Sequence, residues 1–115
     1  MINDIRINNL KFSLLNKTKD IINCVVEETD NIIRFNGYTD EIAIKVYKEG
    51  DIEATVDTRR KDLFVYENDN LTAIITPRIT SVDGTNIGYN ASYEDETVLI
   101  KLDEEADINA TIEFA

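Results

Sequence analysis

Apolar and polar residues alternate with a period of two along most of the chain, and helical periodicity is nearly absent. Residues 41–58 are the clearest stretch. Ile42, Ile44 and Val46 alternate with Ala43, Lys45 and Tyr47; Glu49-Gly50-Asp51 supplies a turn; Ile52, Ala54 and Val56 alternate with Glu53, Thr55 and Asp57. An extended segment with this alternation has one apolar face, so the stretch predicts a β-hairpin. The last third is similar. Ile87, Tyr89, Ala91 and Tyr93 share a face, then Val98, Ile100 and Leu102, then Ile108, Ala110, Ile112 and Phe114. Turns at Glu94-Asp95-Glu96 and Glu104-Glu105-Ala106 would join the three as an antiparallel meander.

Elsewhere the pattern is less regular. In residues 5–14 the apolar phase moves from Ile5 and Ile7 to Leu10, Phe12 and Leu14, which places a bulge or turn at Asn8-Asn9. Residues 21–26, 31–35 and 62–66 are apolar on both faces, as buried central strands would be. Asn36-Gly37 and Asp83-Gly84 are further turn signals. Pro77 lies inside residues 71–82 and is expected at an edge or a kink, because proline brings no amide to a ladder. About nine short strands separated by turn signals predict a single all-β domain over residues 1–115. Its expected form is an antiparallel β-sandwich, immunoglobulin-like without a disulfide, with a barrel as the alternative.

Composition narrows the chemistry. The 115 residues include no His, which removes Ser–His and Cys–His nucleophile pairs and imidazole metal sites. One cysteine, Cys24, excludes an internal disulfide and reads as a small buried hydrophobe. The formal charge is −11, the wrong sign for binding nucleic acid or anionic membranes. Neither an apolar run of membrane-spanning length nor a secretory signal at the start is visible. Seventeen Ile and twelve Asn are the bias of an AT-rich genome.

Candidate chemistry is sparse. Acidic clusters at residues 27–30, 94–96 and 103–107 invite a calcium reading but lack the spacing of a known calcium loop, so solvated turns are the plainer account. Asp51, Glu53 and Asp57 could line one strand face as a row mimicking phosphates. Tyr89 and Tyr93 share a face and raise the possibility of a sugar platform. Several Asn-X-Ser/Thr triplets match the glycosylation pattern and carry no weight without an export route. Asp83-Gly84-Thr85 does not have the order of an aspartic-protease motif. No catalytic, cofactor-binding or metal-ligating set is identified, and the chain is expected not to be an enzyme.

Charge is sorted along the sequence. Residues 1–20 carry a net +2 and residues 83–115 a net −8, while Arg59-Arg60-Lys61 forms a short basic run. If opposite patches lie on different faces, copies can stack positive against negative. The expectation is a non-enzymatic structural module whose partners are other protein subunits, within a homo- or hetero-oligomer. Size and composition point to a bacteriophage virion component: a capsid decoration, head–tail connector or tail accessory protein. Strand addition would use residues 1–14 and 107–115, with Ile5, Ile7, Ile108, Ile112, Phe114, Arg59 and Arg60 as contact residues. The alternatives are an acidic inhibitor that mimics nucleic acid and blocks a basic protein, and a cell-surface adhesive domain.

Overall fold

The fold is seen in a computed structural model that describes residues 4–15, the backbone of 22–27, and residues 31–115. The chain forms β1 (Ile5–Ile7), β2 (Leu10–Leu14), β3 (Ile22–Glu27), β4 (Ile32–Lys48), β5 (Ala54–Asp57), β6 (Leu63–Glu67), β7 (Asn70–Ser81), β8 (Tyr89–Glu94) and β9 (Thr97–Phe114). All belong to one antiparallel sheet, in the order β1-β2-β4-β9-β7-β6-β5, with β3 also on β4 and β8 also on β9. Its end strands, β1 and β5, do not pair with each other, so the barrel alternative is wrong: the sheet is open.

Two strands organise everything else. β4 is 17 residues long and β9 is 18, and they pair with each other along nearly their whole length. The first half of β4 lies between β3 and the second half of β9, and that half of β9 is flanked in turn by β7. The second half of β4 lies between β2 and the first half of β9, which also carries β8. The sheet therefore has two arms joined through the middle of β4 and β9.

The arms fold over one another. Phe12 sits opposite Val46 in β4, and the Phe114 amide bonds to Asn31, fifteen residues away along that strand. At about 3.3 Å per residue a flat sheet would hold them about 50 Å apart. Their rings are instead 5.0 Å apart. The corner falls where the β4–β9 register shifts, between Thr39 and Glu41 on β4. The four residues Leu102–Glu105 of β9 there face Asp40 alone, a large bulge that sharpens the local twist. Thr39, 2% exposed, holds the bend: its hydroxyl donates to the Glu41 carbonyl at 2.9 Å and accepts from the Glu41 amide at 3.2 Å. Outside, Lys101 pairs with Asp40 at 2.9 Å. One apolar cluster fills the space between the arms, with Phe12, Leu14, Ile44 and Ile100 from one and Ile33, Leu63, Ile75 and Phe114 from the other. Each such side chain contributes about 1.5–3 kcal/mol by leaving water.

Several expectations are corrected. Residues 41–58 are not a hairpin, because β4 pairs with β2 and β9 while β5 pairs with β6. Asn36-Gly37 lies mid-strand, paired on both sides, and Glu104-Glu105-Ala106 is a corner within β9 rather than a chain reversal. The reversals at residues 8–9, 83–84 and 95–96 do occur. Asn8, Gly84, Asp95 and Glu96 supply the positive φ angles they need.

Candidate interaction site

Among the described residues a concavity lies beside β7. Leu63 is the first residue of β6 and pairs with Ile75, so β7 continues beyond the end of its neighbour. The next outward-facing position is Pro77. Ile74 and Ala115 exchange both of their backbone bonds, and bonded pairs alternate along an antiparallel ladder. Pro77 and Ile112 therefore form a non-bonded pair, and the proline nitrogen points away from β9 to the side where, among the described residues, β6 has already ended. Edge placement of the proline was legible in the sequence.

Beyond Pro77 the edge is covered again, by the bridge between Thr80 and Asn86 and by the Ile87 amide on the Ile79 carbonyl at 3.0 Å. The uncovered stretch becomes a cleft of about 690 Å³, open to solvent, with residues 58–62 on one side and 86–91 on the other. The Tyr89 hydroxyl ties these walls together by donating to the Lys61 carbonyl at 2.7 Å. Burial, and then the Asp62 charge, raise the phenol's pKa, so it stays protonated as a donor.

Four cations line the cleft, Arg59, Arg60, Lys61 and Arg78, against two carboxylates, Asp62 and Asp103. This is a local reversal of sign in a chain of charge −11. Arg59 is occupied: Nε and Nη2 reach the Asp57 carboxylate at 3.0 and 2.9 Å, and the Arg59 amide joins at 3.0 Å. Those bonds hold the Asp57 carboxyl down at about 2. Arg60 lies over the Phe64 ring, 5.4 Å from its centre. Arg60, Lys61 and Arg78 make no ion pair among the described residues.

The proposed contact residues separate into two groups. Ile5, Ile108, Ile112 and Phe114 are buried in the chain's own core, and Ile7 packs against it. Residues 108–114 have β4 on one side and β7 on the other for most of their length, so strand addition finds no open edge there. Residues 5–7 do form an edge strand. Arg59 and Arg60 lie together on the cleft. Arg78 was not singled out by sequence; one exposed arginine in a strand gives no signal until the strand's neighbours are known.

The other candidates are dispersed. Tyr89 and Tyr93 pack against the core and present no platform. Asp57 is held by Arg59, which breaks the row with Asp51 and Glu53. Residues 95–96 form an exposed two-residue turn after Glu94, and residues 103–107 belong to the corner. There the Glu105 charge raises the pKa of exposed Tyr38, and the Asp40 hydrogen bond raises that of Lys101. Among the described residues no three carboxylates or thiols come together to hold a metal ion. The Cys24 side chain and the acidic run 28–30 lie outside the described residues. Comparison with protein-family models, curated proteins and solved structures finds no match for this chain.

Proposed function

We propose that this chain is a non-enzymatic protein-interaction module that works inside a larger assembly. The assembly we propose is a bacteriophage virion, with the chain as capsid decoration, head–tail connector or tail accessory protein. The observation that carries the reading is the sorting of charge on a sheet with open ends. A cleft lined by four cations stands in a chain of net charge −11, and β1 and β5 each have a single neighbour among the described strands. Open edges offer unpaired backbone donors and acceptors for strand addition, and charge sorting fixes which partner docks and how. The Ile- and Asn-rich composition is the bias of an AT-rich genome, which is compatible with this reading. We read the two arms of the bent sheet as the two layers of an immunoglobulin-like sandwich without a disulfide, a reading supported by the ring contact of Phe12 with Phe114 between them.

Mass spectrometry of particles purified from the encoding genome tests this. The reading expects the chain in those particles at a fixed copy number relative to the major shell or tail protein. Particles that lack it, with the chain monomeric in the soluble fraction, would overturn the reading.

A further inference from the structure

We infer that the cleft receives the acidic hairpin tip of a second copy of this chain, so that copies join head to tail. The inference rests on the contact reading above and names its two surfaces. The receiving surface holds Arg60, Lys61 and Arg78, none with an ion pair among the described residues. The entering surface is Glu94, Asp95 and Glu96, exposed and equally without an ion pair among the described residues. Three cations, partly offset by Asp62 and Asp103 in the same cleft, meet three carboxylates.

Geometry keeps the two apart within one molecule. Tyr89, on the cleft wall, is at one end of β8 and Glu94 is at the other, about 17 Å away at strand spacing. β8 is paired with β9 along its whole length, so the tip does not bend back into its own cleft. Surfaces at opposite ends of one hairpin form a heterologous contact, which produces rings or filaments. The turn is short, since Glu94 pairs directly with Thr97 across two residues, and β4 runs beside it. The Val46 amide donates to the Glu96 carbonyl at 2.8 Å and Lys45 Nζ to the Asp95 carbonyl at 3.2 Å, which leaves the three carboxylates themselves facing solvent. Both turn residues have positive φ, 53° at Asp95 and 58° at Glu96, where Asn-Gly is the inexpensive choice. The chain thus carries two carboxylates on backbone that favours glycine, as a tip selected for charge rather than for turn stability would.

Sedimentation velocity over a concentration series, near 0.15 M salt, is the test. The wild-type chain should associate as concentration rises. The cleft reversal R60E/R78E and the tip reversal E94K/E96K should each raise the apparent dissociation constant about tenfold or more, because each sets like charges against one another. Combining all four substitutions keeps the net charge at −11 and should restore association. A second tip variant, D95N/E96G, guards against misfolding: it should resist denaturant better than wild type and still associate more weakly. Wild-type protein that stays monomeric at millimolar concentration overturns the inference. If it is nonetheless found in particles, the contact reading stands without it. Association that ignores both reversals overturns the cleft–tip pairing and moves the contact to β1 or β5. A cleft reversal that abolishes binding of a dT20 oligonucleotide, while leaving self-association intact, overturns it in favour of a phosphate site.

Discussion

Thr39 shows how one hydroxyl sets the course of two strands. A buried threonine with no partner would cost stability; here it satisfies both backbone groups of Glu41 at the bend. Thr39→Val keeps the shape and removes the bonds. The expected loss is about 1–3 kcal/mol by urea unfolding, with Thr39→Ser losing less. The hairpin tip has the opposite sign. Replacing Asp95-Glu96 by Asn-Gly matches the positive φ values and should raise stability by about 1 kcal/mol. Asp57 gives a pH prediction. Its folded pKa is depressed to about 2 by Arg59, so the ion pair's contribution is present above the ordinary carboxylate pKa. It is lost only as pH falls from about 4 through about 2. A carbon-detected carboxyl titration should show Asp57 still ionised near pH 3, when ordinary carboxylates are mostly protonated; a midpoint near 4 would mean the pair does not form.

The strands themselves were largely legible, and their partners were not. Period-two alternation correctly places β2, β8 and both halves of β9, because each turns one apolar face to the core, and the run at residues 62–66, apolar on both faces, correctly places β6. Alternation carries no information about which strand lies alongside, so residues 41–58 read as a hairpin although β4 lies between β2 and β9. Asn36-Gly37 misleads for a related reason. Local turn preference is outweighed when strands on both sides, at Ile22 and Ile108, hold the segment extended. Pro77 was legible because its missing amide excludes a central ladder position. The cleft it borders was not, since residues 58–62, 76–80 and 86–91 meet only through the sheet order. The contact of Phe12 with Phe114 is the physical signature of the folded-over sheet. Phe114→Ala should cost about 3–5 kcal/mol, as deletion of a fully buried ring does. A loss below 1 kcal/mol would mean the arms do not pack through this pair.

Taken whole, the molecule has net charge −11 and, among the described residues, a recess lined by four cations. Its bent sheet supplies rigidity, because β4 and β9 run through both arms and cannot be displaced singly. Its charge supplies direction, since the recess and the acidic tip lie at opposite ends of β8. On the proposed reading, a copy docks where the sign of charge reverses. Amide NMR of the labelled chain, followed as unlabelled chain is added, tests this most directly. The account predicts that signals moving with concentration cluster in residues 58–62, 76–80 and 94–96. Movement confined to β1 and β5, or none up to millimolar protein, would contradict it.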